Sequence, residues 1–148
     1  MYQFVDRPLA TLDPGCRFLV WSMRAWVTML GNRSCPAQAI APAFARWRMI
    51  GGLQPFHRVM LIFNRDALET FAFCGLGCDR VSEHEAIILG LSHQLRETGL
   101  EAARDTLQLL VAEDGIGDLL EAMSGLNAAM AVAGIFPGET AQTRESRG

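Results

Sequence analysis

At 148 residues with a net charge of −3, half hydrophobic and one-fifth charged, the chain has the size and composition of one folded domain. Division into two would leave halves too small for good cores, so a single core is expected. A pI near 5.6 argues against a protein built to grip nucleic acid.

Several further exclusions follow from the composition. The start, Met-Tyr-Gln-Phe-Val-Asp-Arg-Pro, lacks a basic region followed by an apolar run, so no secretory signal is expected. The most apolar stretch, Phe18 to Leu30, is interrupted by Ser22, Arg24 and Thr28. It is also shorter than the ~20 residues of a membrane span. A bacterial-type, cytoplasmic setting is the expectation, with Cys16, Cys35, Cys74 and Cys78 as reduced thiols. All 13 basic residues are arginine. Their distribution is uneven: residues 1–66 hold eight Arg against three acids, and residues 67–148 hold five Arg against 13 acids. That gives +5 in the first part and −8 in the second, the pattern of an anion-binding half, of two mutually attracting halves, or of protomers packed head to tail.

In chain order, residues 1–13 read as an N-terminal arm with scattered apolar groups. Asp13-Pro14 is an N-cap followed by a proline at the first helical position. The first helix is predicted from Pro14 to Leu30, ended by Gly31 or Asn32. Its polar residues Arg17, Arg24 and Thr28 share one narrow stripe, which predicts their exposure, and Trp21 borders that stripe. Ser34-Cys35-Pro36 opens a second helix, whose main body is predicted to begin near Ala41 because of Pro42. Gly51-Gly52 is predicted to stop it.

Pro55 is predicted to open a third helix, with Phe56, Met60, Phe63, Ala67 and Phe71 in one stripe and a helix to about Phe73. A break near Asn64 to Asp66 is the alternative. Cys74 to Arg80 reads as a loop, and Ser82 with Glu85 as a capping box opening a helix from Glu83 to Thr98. Gly99 stops that helix, and a partner from Leu100 to Glu113 is broken by Asp114-Gly115. The last helix, Ile116 to Ala133, carries the seam Leu119, Met123, Leu126, Met130 and Ala133, closed by Gly134 and Ile135. No segment alternates with period two. The fold class is therefore an all-α single-domain bundle of about five or six helices over residues 14–136, with a disordered polar tail over 137–148.

The chemistry-bearing residues are sparse. Cys74, Cys78 and His84 are the one cluster with zinc-ligand side chains, but a structural site usually takes four. His57 lies 17 positions before Cys74, about 25 Å along a continuous helix. The C-x3-C spacing also differs from redox and zinc-knuckle motifs. His93 is half a helical turn from His84, so the two do not converge on that helix. No serine sits in a nucleophile-elbow context, and no glycine-rich loop has the residues of a phosphate cradle.

The functional expectation is a helical protein-interaction or regulatory module without chemistry of its own. The alternative is a small-ligand, zinc or redox site at Cys74, Cys78 and His84. A homodimer through the first helix, the last helix or both is expected, because both carry extensive apolar faces.

Overall fold

The first helix begins where Asp13 accepts the Cys16 backbone N–H at 2.8 Å and Pro14 occupies the first helical position. The computed structural model describes residues 4–68, 73 and 75–135. Among these residues there are six helices and no strand: α1 (Pro14–Gly31), α2 (Pro36–Arg46), α3 (Ile50–Asp66), α4 (Glu83–Thr98), α5 (Leu100–Leu107) and α6 (Glu113–Ala133). The all-α bundle expected from the sequence is the observed fold. The predicted tail over 137–148 lies outside the described residues. None of the described helices is long and apolar enough to cross a membrane.

Hydrophobic burial organises the helices around one core, with Trp26, Phe44, Phe56, Leu89, Leu107 and Met130 almost wholly enclosed. Consecutive helices α1, α2 and α3 pack side by side, and α4 pairs with α5. The most extensive contact joins α3 to α6, which are far apart in sequence. They run antiparallel: a Cβ on Gly52 would come within 3.0 Å of the Ala129 Cβ, one on Gly125 within 3.3 Å of Pro55, and one on Gly115 within 2.6 Å of Asp66. Glycine at these three levels lets the two backbones approach.

Several boundaries depart from the sequence expectations, each for a physical reason. The second helix starts at Pro36 and runs through Pro42. Both Pro42 and Gln38, whose carbonyl loses its partner, are exposed, so water can take the place of the missing bond. Gly51 and Gly52, expected as a stop, lie in the first turn of α3, where Gly52 meets α6. α3 ends at Asp66, at the alternative break near Asn64 to Asp66, and does not run on to Phe73. Ala67 turns extended, Leu68 N–H donates to the Leu110 carbonyl, and Ala112 N–H donates to the Asp66 carbonyl, both at 2.8 Å. α5 ends at Leu107, and Asp114 and Gly115 belong to the first turn of α6, where acids suit the helix dipole.

Caps read from sequence hold elsewhere. Ser82 and Glu85 form the capping box, and Gly134 at φ 76° closes α6, with Ile135 N–H donating to the Met130 carbonyl. α1 and α2 close with the same hydrogen-bond pattern, but Arg33 and Arg48, not glycine, occupy the left-handed position at φ 61°.

The glycine contacts give a paired expectation. Gly52→Ala should cost about 1–3 kcal/mol, since the methyl overpacks the α3–α6 contact. Gly117→Ala, which meets open space, should stabilise by up to about 1 kcal/mol. Urea midpoints of the two variants check this, and equal shifts would contradict the close-approach account.

Candidate functional site

Burial takes Arg24 out of the exposed stripe expected on α1, while Arg17 stays exposed and Thr28 is half-buried. Arg24 is 2% exposed, and its guanidinium is gripped on several sides. Nε donates to Glu85 Oε2 at 2.7 Å and Nη2 to Glu85 Oε1 at 3.0 Å. Nη1 donates to the Cys78 carbonyl at 2.6 Å and Nη2 to the Arg80 carbonyl at 2.7 Å. Glu85 is itself fully buried and accepts the Ser82 N–H at 2.9 Å. A planar fork of donors is what lets one side chain bridge a carboxylate and two carbonyls. The loop so held receives the N-terminal arm: Asp6 N–H donates to the Val81 carbonyl, Val81 N–H to the Arg7 carbonyl and Leu9 N–H to the Asp79 carbonyl.

This anchor accounts for part of the cluster singled out in the sequence. The Cys78 carbonyl accepts from Arg24, and its Sγ lies 3.4 Å from the Arg80 carbonyl oxygen. His84 is half-buried in the first turn of α4. Cys74 lies outside the described residues. Among the described residues, no group of three or more His, Cys, Asp or Glu side chains converges as a metal site would require. His57 turns instead to α1, where Trp26 Nε1 donates to its Nδ1 at 2.9 Å. Accepting at Nδ1 places the neutral ring's proton on Nε2. Burial lowers the His57 pKa below the usual imidazole value.

At the α4–α6 contact, Asn127 Nδ2 donates to the Ser92 carbonyl at 3.1 Å, while Ser92 Oγ, His93 Nδ1 and Asn127 Oδ1 are buried without a partner. Beside them runs an open, mostly apolar groove of about 380 Å³ edged by Leu95, Leu100 and Ala131.

The surface of the α1–α2 pair has a different character. Residues 14–65 contain no acid, and Arg17, Arg33, Arg46 and Arg48 are all exposed with no carboxylate within 4.0 Å among the described residues. Trp21 and Trp47, near Arg17, Arg46 and Arg48, are each 41% exposed. The Trp47 ring lies 5.4 Å from Phe18, one turn from Trp21, so the α2 C-terminus sits beside the Arg17–Trp21 stretch of α1. The arginine excess was legible in the sequence. Trp21 was legible as a residue bordering the polar stripe of α1, whereas the exposure of Trp47 was not, because it depends on how α2 crosses α1.

Comparison with protein-family models, curated proteins and solved structures returns no match.

Two expectations follow from this geometry. Arg24→Leu strands the buried Glu85 carboxylate and should cost about 3–5 kcal/mol, whereas Arg24→Leu with Glu85→Leu should cost less than the single change. Thermal unfolding of both checks it; a double variant worse than the single would contradict the account. For His57, the folded pKa lies below the unfolded value near 6.5. Its contribution is present above that value and is lost as pH falls through the folded pKa. Stability should therefore drop on going from pH ~7 to ~5, and His57→Gln should flatten that part of the profile. Identical profiles would remove His57 as the cause.

Proposed function

We propose that this chain is a helical protein-interaction module, acting by binding an acidic partner surface through the tryptophan–arginine patch of α1 and α2. The observation that carries the reading is the patch itself: exposed Trp21 and Trp47 flanked by exposed Arg17, Arg46 and Arg48, with no carboxylate within 4.0 Å of these arginines among the described residues. Tryptophan and arginine are the side chains most enriched at binding hot spots, where an aromatic anchor buries area and arginine pairs with carboxylates. Exposed arginines with no carboxylate partner among the described residues suit a carboxylate-bearing protein. The acidic residues of α5 and α6 would repel an extended nucleic acid.

Backbone strain supports the same reading. Arg48 adopts a left-handed conformation that glycine would adopt with less cost. A strained residue is retained where its side chain serves something beyond stability. Arg48→Gly should therefore raise stability by about 0.5–1 kcal/mol and weaken partner binding. The reading is tested by capturing partners from source-cell extract with the wild-type protein, Arg48→Gly, and the Trp21→Ser/Trp47→Ser variant. Retention of the captured protein by wild type, and its loss by the double variant at unchanged helix content, is the expected result. Capture indifferent to both variants would overturn it.

A further inference from the structure

The exposed face of the α3–α6 pair bears charge in a pattern that matches itself. Along α3 the outward residues are Ile50, Gln54, Arg58, Leu61 and Arg65, at spacings of four, four, three and four. Along α6 they are Asp114, Asp118, Glu121, Ala128 and Val132, at spacings of four, three, seven and four. Each set is one helical stripe. Arg58 and Glu121 reach each other at 3.9 Å across the outside of the pair, so the two stripes share one side of the molecule.

The close contacts set their levels. Gly52 lies level with Ala129, Pro55 with Gly125, and Asp66 with Gly115. Ile50 is therefore level with the Ala128–Val132 turn, Arg58 with Glu121, and Arg65 with the Asp114–Asp118 turn. Basic α3 and acidic α6 run side by side with an apolar end in common. That end exposes Ile50 at 59% and Val132 at 89%.

We propose that a second copy of this chain docks on this face, about a two-fold axis that lies between α3 and α6 and runs parallel to them. Such an axis keeps every residue at its own level and exchanges the helices, so α3 of each copy faces α6 of the other. Arg58 then meets the partner's Glu121, and Arg65 meets the partner's Asp114 and Asp118. Ile50 meets the partner's Val132. The small side chain of Ala128, exposed on α6, lets the helices approach. Each Arg58 stands between its own Glu121 and the partner's, a network worth more than the isolated surface pair. A two-fold axis perpendicular to the helices would place each level on a different one and lose this match. The occupant is a second copy because both complementary stripes belong to this chain and their levels coincide. The seam Leu119, Met123, Leu126 and Met130, expected from the sequence to be available for a dimer, is instead buried in the chain's own core. The outer stripe of α6 is what remains.

Sedimentation equilibrium over a hundredfold range at micromolar concentration tests this on the full chain. Wild type should show twice the 16.3 kDa chain mass. Val132→Asp, at a highly exposed position, should weaken the dimer about tenfold or more with unchanged helix content. Glu121→Arg and Arg58→Glu should each do the same, and the chain carrying both should recover it, because the reversed charges match again. Trp21→Ser/Trp47→Ser should leave the dimer intact, which separates this surface from the partner-binding patch. A wild-type monomer would overturn the proposal. So would a mass that climbs past the dimer, a dimer indifferent to Val132→Asp and Glu121→Arg, failed recovery in the double reversal, or a dimer lost with the two tryptophans.

Discussion

The buried pairing of Arg24 with Glu85 is the interaction that fixes α1 and the N-terminal arm against the start of α4 and the loop before it. Moving two charges out of water is costly, and attraction offsets that cost only when the remaining donors and acceptors are also satisfied. Here Arg24 spends further donors on the Cys78 and Arg80 carbonyls, and Glu85 accepts the N–H of its own helix cap. One guanidinium thereby ties the middle of α1, the start of α4 and the loop before it to one another. The N-terminal arm is held in turn, because its backbone pairs with the stretch from Asp79 to Val81 that Arg24 positions.

The α3–α6 contact supplies the complementary kind of constraint. It is close, set by what is absent at Gly52 and Gly125, where the neighbours are apolar, and at Gly115, where the Asp66 side chain packs. Ion pairs fix orientation at one point, whereas glycine levels fix register along a length. Together they leave the core with one arrangement: α1 located against α4 by charge, α3 located against α6 by shape.

Charge that does not serve the core is left on the surface. Of the seven arginines between residues 14 and 65, Arg24 is consumed internally, Arg58 reaches Glu121 across the helix pair, and Arg65 is held by Asp66 at 2.9 Å. Among the described residues Arg17, Arg33, Arg46 and Arg48 have no such partner, and the exposed Trp21 and Trp47 lie near Arg17, Arg46 and Arg48. The overall split of +5 and −8 is thus only partly spent on holding the halves together.

Local rules determined a good deal of this protein from sequence alone. Asp13-Pro14, the Ser82–Glu85 box, Gly99 and Gly134 each act over a single helical turn, and so the start of α1, both ends of α4 and the close of α6 were legible. Helical periodicity throughout, with no period-two segment, was enough for the all-α class. Tertiary structure alone decided the rest. The stripe running past Phe63 looked continuous, yet the helix ends at Asp66 because the chain there pairs with residues 110–112, over forty positions away. Gly51-Gly52 has the composition of a stop, yet both lie in the first turn of α3 and Gly52 serves as a contact, since only α6 makes its missing side chain useful. Arg24 has the spacing of an exposed residue and lies buried. Its partner is 61 positions distant, and spacing on one helix carries no information about the charge that another helix will bring.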